Sequence, residues 1–147
     1  MNRLALTLSL LLILNFSLKA QDNHAPNANA SNPDASAVLA TVTNYIEGYY
    51  TGDAKRMEQT LHPRYLKHVI HGDIPMREKT GAQMVTEVQN NGPANLPVAQ
   101  KTEQVTVLDV AGDIASAKLV TPGWTDYMTL SKVNNEWKIL SVVQRIE

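Results

Sequence analysis

The 147-residue chain has no cysteine. That absence excludes disulfides, thiolate zinc sites, a cysteine nucleophile and a lipid carried on an N-terminal cysteine. It does not choose a compartment. A basic cluster is missing as well: Lys and Arg number 13 against 14 Asp and Glu, and they are scattered. Neither a phosphate-neutralising face for nucleic acid nor a polybasic membrane patch is therefore expected. The chain holds no Gly-x-Ser-x-Gly elbow, no glycine-rich phosphate loop and no His-Glu-x-x-His pair. Serine-elbow hydrolysis, phosphate cradling and that form of zinc site are left without support. The longest apolar run, residues 4–14 extended by Phe16 and Leu18, is short for a membrane span.

That same run has another reading. Arg3 precedes it and Lys19-Ala20-Gln21 follow it, which is the layout of a secretory signal peptide with cleavage after Ala20. Residues 21–33 are polar, rich in Asn and Ala and without hydrophobic period, so they read as a disordered spacer. Residues 34–147 are left for one folded domain, exported to the periplasm or beyond and free of the membrane once the leader is removed.

Within that domain the periodicity changes partway. Ser31 or Asn32 can cap a helix with Pro33 near its first position. Val38, Val42, Tyr45, Ile46 and Tyr49 then recur at helical spacing. Gly52 suits a left-handed helix end, and Asp53 can cap a second helix over residues 54–61, which His62-Pro63 terminates. Residues 64–70 alternate and read as an edge strand, and 71–75 as a turn. Thr80 and Gln83 have capping-box spacing for a third helix that turns Met84, Val85 and Val88 inward. Four antiparallel strands follow, at residues 101–110, 114–120, 124–133 and 137–147, the last two joined by an Asn-Asn turn. Strands gathered after helices argue an α+β domain. In the last strand, alternation sends Ile139 and Val143 one way and Leu140, Val142 and Ile146 the other. With both faces apolar, helices should cover one and a second copy of the chain the other, giving a homodimer.

Three segments carry a resemblance. They are Tyr50-Thr51-Gly52-Asp53 after a Tyr-rich helix, Leu61-His62-Pro63, and Asp126-Tyr127-Met128-Thr129-Leu130 with Glu136-Trp137-Lys138-Ile139. Together they resemble the nuclear transport factor 2-like superfamily, which includes ketosteroid isomerase and polyketide cyclases. Within it the chain is most similar to small secreted bacterial proteins labelled lumazine-binding. The resemblance implies a cone: a curved antiparallel sheet wrapped around three N-terminal helices, with an apolar pocket in its mouth. It implies Tyr49, Tyr50, Met57, His62, Tyr65, His68, Trp124, Asp126, Met128 and Gln144 as pocket candidates, and a small organic molecule as the occupant.

Two chemistries compete for such a pocket. Asp126 with His68 could move a proton beside a carbonyl, as a cofactor-independent isomerase, cyclase or dehydratase would. Asp126 and Tyr127 are neighbours on a strand, so both cannot enter one pocket, and no copy of the isomerase constellation exists. Non-catalytic binding of a partly apolar ligand needs only the pocket and is the favoured reading. A structural or partner-binding module is the third. A metal site from His62, His68, His71 and Asp73 is not expected, because a strand points His68 and His71 to opposite faces. Trp137 and Tyr45 read as core; Trp124 and Tyr50 read equally as core or pocket wall.

Overall fold

The structure is a computed structural model that describes residues 32–90, 92 and 95–147. The proposed leader and nearly all of the spacer lie outside these residues. Asn32 accepts a hydrogen bond from the Asp34 amide at 3.0 Å and starts helix α1, Pro33–Thr51. Gly52 ends it at φ 72°, a left-handed conformation that glycine adopts without strain. Asp53 then caps α2, Ala54–Thr60, by accepting from the Arg56 amide at 2.9 Å. Strand β1 (Leu61–His71) follows directly, then β2 (Ile74–Thr80) and α3 (Gly81–Gln89). Thr80 and Gln83 form the capping box the sequence predicts. A short 3-10 turn at Val98–Gln100 leads to β3 (Gln104–Ala111), β4 (Ile114–Val120), β5 (Trp124–Val133) and β6 (Glu136–Ile146). No described helix is long and apolar enough to cross a membrane.

Six strands form one curved sheet in the order β2-β1-β6-β5-β4-β3. Two expectations change here. The sheet is mixed rather than wholly antiparallel, because β1 pairs with β6 in parallel. And β1 is not the edge: β2, whose first residues read from sequence as a turn, pairs with β1 and takes the edge position. Nearly every β2 residue is exposed, and Pro75 with Arg77, Glu78 and Lys79 guards an edge that would otherwise invite pairing with another chain.

The α+β expectation holds, with the three helices on one face of the sheet. Val38, Val42, Tyr45 and Ile46 of α1 pack with Met57 of α2 and Met84 and Val88 of α3. They meet Ala117, Leu119, Met128, Leu130, Ile139 and Val142 from the sheet. Strict alternation mis-assigned β6. Thr129 pairs with Ser141 and Leu130 with Ile139, so Leu140 is an extra residue and the phase shifts across it. Ile139 and Val142 therefore share the covered face, both fully buried, and Val143 looks outward. A second such shift at Leu108 in β3 adds to the bending.

The hairpin clamps onto the start of α1. Asn134 and Asn135 sit at φ 50° and 65°, the pair of left-handed residues that a tight hairpin turn requires. Beyond them the Trp137 indole donates to Asp34 Oδ1 at 3.0 Å, and Lys132 Nζ reaches the same oxygen at 2.6 Å. Trp137 and Tyr45 are buried core residues, as the sequence suggests.

One close approach was not apparent in the sequence. A Cβ on Gly48 would lie 3.0 Å from the Met57 amide nitrogen and 3.3 Å from the Asp53 carbonyl oxygen, so a bare backbone lets α2 dock on α1. Both obstacles are main chain and cannot rotate away. Gly48→Ala should thus lower stability by about 1–3 kcal/mol, read as a lower urea midpoint with unchanged m-value. A midpoint equal to wild type would mean the two helices are not in this contact.

Candidate functional site

Strand β1 alternates cleanly where it crosses the sheet centre: Tyr65, Lys67 and Val69 turn toward the helices, and Leu66, His68 and Ile70 turn away. Lys67 therefore enters the core face, only 4% exposed. Asp126 on β5 faces the same way and is fully buried. The two charged residues flank β6, where Lys67 is opposite Val142 and Asp126 opposite Gln144. Lys67 Nζ lies 3.4 Å from Asp126 Oδ2 and 3.2 Å from the Tyr45 hydroxyl, which is itself 3.4 Å from the Tyr65 hydroxyl. Asp126 Oδ1 is buried and has no hydrogen-bond partner. Gln144 and Trp124 face the carboxyl and favour its charged form, yet neither closes a hydrogen bond on Oδ1.

These groups meet in a slot between α1, α3 and the sheet. Tyr49, Trp124 and Gln144 wall it, and the Lys79–Glu87 ion pair, joining β2 to α3, stands at its rim. Its free volume is about 20 Å³, near the least that holds one water. The expected apolar cavity is thus a narrow, mainly polar slot. A much larger groove of about 880 Å³ runs between α1, α2 and the β5–β6 hairpin. Its charged groups are already engaged: Lys132 with Asp34, Arg56 with Asn44 and Glu47, Lys138 with the Gln59 carbonyl. Among the described residues, only the slot combines burial with an unpaired polar atom, so it is the stronger candidate.

Burial is the largest influence on Asp126, Lys67, Tyr45, Tyr65 and Tyr49. It pushes the Asp126 carboxyl up, against the pull of Lys67, and pushes the Lys67 amine down, against the pull of Asp126. The Tyr45 and Tyr65 hydroxyls are also driven up by desolvation. Tyr49 rises to about 12, from burial first and then the nearby Glu87 charge.

The sequence candidates divide. Tyr49, Trp124, Asp126 and Gln144 line the slot. Tyr65 stands behind it through Tyr45. Met57 and Met128 are buried core. Tyr50 turns its hydroxyl to the Thr102 carbonyl at 3.0 Å, outside the slot, while its ring stays 6.4 Å from that of Trp124. His62 serves its own strand, Nδ1 accepting from the Arg64 amide at 2.9 Å. His68 does not join Asp126. It lies on the opposite face, beside Val143, with Nε2 3.2 Å from Glu78 Oε1. The proposed acid–base pair is therefore not assembled. Among the described residues, no group of three or more His, Asp or Glu is placed to hold a metal. Lys67 was missed, although a lysine at an inward position between Tyr65 and Val69 is the signal that marks it.

Helices laid over one face of a curved mixed sheet, with polar side chains converging at one end, define a nuclear transport factor 2-like domain. Solved structures of that class superpose on the chain. One from Shewanella baltica, of unknown function, has TM-score 0.62 at 17% identity, covering 78% of this chain and 94% of its own. Another from Silicibacter pomeroyi, also of unknown function, gives 0.64 at 18%, covering 78% and 96%. A ketosteroid isomerase-like protein from Erwinia carotovora gives 0.55 at 9%, covering 78% and 97%. At these identities the likeness concerns the fold. More particularly, residues 33–144 match the family described as putative lumazine-binding, and the chain belongs to it. No curated protein matches the sequence.

The pair's energetics can be tested directly. Lys67→Met strands a buried carboxylate and should cost about 3–5 kcal/mol, whereas Lys67→Met with Asp126→Leu should be as stable as wild type or up to about 4 kcal/mol better. The sign for pH follows from linkage. A lowered lysine pKa gives stability that is present above the unfolded value of 10.5 and lost as pH falls through the folded value. Asp126, raised by burial, titrates with the opposite sign, so Lys67 is isolated by comparing Asp126→Leu with the double variant. Asp126→Leu should gain on the double variant as pH rises from 7 toward 10. Urea titrations at several pH values give both answers, and equal losses in the single and double variants would refute the pairing.

Proposed function

We propose that this protein is an exported small-molecule-binding domain whose ligand enters the slot between α1, α3 and the sheet. The observation that carries the reading is Asp126 Oδ1, buried and unpartnered beside a lysine. A buried acceptor left open costs about 1–3 kcal/mol, or more when charged, and a ligand donor would remove that penalty. Family membership supports a binding role, and the leader-like residues 1–20 support export.

The slot also says what kind of ligand fits. Lys67 and Lys79 balance Asp126 and Glu87, so the lining has no net charge. An uncharged polar molecule suits it better than an anion such as phosphate or a cationic amine. Tyr49 and Trp124, edge-on with ring centres 5.8 Å apart, offer a flank for a flat molecule. Catalysis by Asp126 with His68 is not part of this reading, since the two are on opposite faces.

Lumazine and a panel of small uncharged amides and carbonyl compounds are the probes. At a ligand concentration about a hundredfold above Kd, stability should rise by about 2.7 kcal/mol. Thermal shift should detect this in wild type and lose it in Trp124→Ala and Asp126→Asn. Equal shifts in all three proteins, or none with any probe, would end the reading.

A second copy is proposed to cover the open sheet face. Tyr127, Val143 and Ile70 are 52%, 44% and 42% exposed there on three adjacent strands, and Tyr127 stands directly opposite Val143. Sedimentation should give a dimer for wild type and a monomer for Tyr127→Glu. A wild-type monomer at high concentration would remove this proposal and leave the slot untouched.

A further inference from the structure

We propose that Lys67 captures small uncharged carbonyl compounds as a reversible imine: its Nζ lies on the slot wall with the Tyr45 hydroxyl at 3.2 Å and Asp126 Oδ2 at 3.4 Å, the two groups needed to move the protons of that reaction. The inference rests on the slot being a ligand site and names the ligand's reactive group.

Geometry is the first support. A locked ammonium–carboxylate contact measures about 2.7–2.9 Å, and here both contacts of Lys67 are longer. The ammonium has three protons and two long contacts; the carboxylate has one long contact, and Gln144 and Trp124 face it without closing a bond on Oδ1. Such a pair is under-bonded as ions and has capacity left for a third party. Desolvation acts in the same sense, favouring the neutral amine on Lys67 and the neutral acid on Asp126. Burial of this kind is how lysines become nucleophiles.

The chemistry balances without any added reagent. Lys67 passes one proton to Asp126, and the freed amine adds to the carbonyl carbon as the C=O π pair moves to oxygen. The carbinolamine then loses water, made of the carbonyl oxygen and the two remaining amine protons. What stays is a neutral imine on Lys67 and a neutral Asp126, which removes two charges from a buried place. Water adding back reverses every step, so the product is capture rather than turnover. Tyr45, with its hydroxyl backed by that of Tyr65, can relay a proton to the departing oxygen.

Access requires the slot to widen, because about 20 Å³ is less than any aldehyde needs. The rim allows it. Lys79 and Glu87 are each about a third exposed, and a pair so exposed is worth roughly 0–1 kcal/mol. Parting it would swing the two side chains off the mouth, while Thr80 and Gln83 keep β2 joined to α3 and the buried core stays as it is.

The test uses the folded full chain with limiting acetaldehyde and sodium cyanoborohydride near neutral pH, followed by peptide mapping. Burial favours the neutral, nucleophilic amine on Lys67, and Tyr45 and Asp126 stand beside it to move protons. Lys67 should therefore gain an N-ethyl group severalfold faster than exposed Lys55, and the preference should vanish in urea. Tyr45→Phe should slow labelling at Lys67 and leave Lys55 unchanged. Labelling of Lys67 no faster than Lys55 in the native protein would overturn the proposal. Trp124 fluorescence in the same samples, with Trp124→Phe as the blank, separates the two failures. A response to acetaldehyde without labelling ends the imine and keeps the binding site; neither signal ends both.

Discussion

Two opposite charges face each other across β6 and tie the register of the strands on either side of it. Lys67 on β1 and Asp126 on β5 are separated by the strand that pairs with both, one opposite Val142 and the other opposite Gln144. Slipping β1 by one residue would put His68 into the core and Lys67 on the open face, leaving Asp126 buried alone. An uncompensated buried carboxylate costs several kcal/mol, so the pair penalises the alternative register. Hydrophobic burial would tolerate it better, because Leu66 and Ile70 could replace Tyr65 and Val69. On this argument the charges specify where the parallel β1–β6 junction closes, and the apolar side chains supply most of the stability once it has.

The same residue-by-residue alternation explains what the sequence could and could not disclose. Elements whose signal is local were legible: the Asn32–Pro33 start of α1, the Thr80–Gln83 capping box, the Asn134–Asn135 turn. β2 was not, because an exposed charged edge strand has no buried face and hence no hydrophobic period. The parallel pairing joins residues more than seventy positions apart and leaves no local trace. Leu140 broke the pattern by a single inserted residue, moving Val142 to the core and Val143 outside. In the site, Trp124, Asp126, Tyr49 and Gln144 were reached through the family resemblance. The same resemblance and its chemistry also pointed to His68, while Lys67, one residue earlier and therefore on the other face, makes the contact.

Membership of a family and likeness to solved folds do different work here. The fold supplies a sheet end with helices over it, where side chains from α1, α3, β1, β5 and β6 can converge. It does not dictate which side chains those are. At 9–18% identity to the structures compared, the chemistry of the mouth has to be read from this chain's own residues. They differ from the expected apolar cavity by supplying two cations, two carboxylates and three tyrosine hydroxyls around very little space.

That combination is poor as architecture. Replacing a buried ion pair by apolar side chains of similar volume is commonly neutral or stabilising, and Met or Leu would fill these positions without leaving Oδ1 bare. Register alone could be enforced more cheaply by a hydrogen-bonded polar pair. An unpartnered carboxylate oxygen and an under-coordinated lysine are tolerable if something intermittently satisfies them, and the weak Lys79–Glu87 closure is where that something would enter. The slot's small volume is then a property of its closed state. The outer ion pair is weak enough to part, and the inner one retains both an acceptor and a donor for whatever arrives.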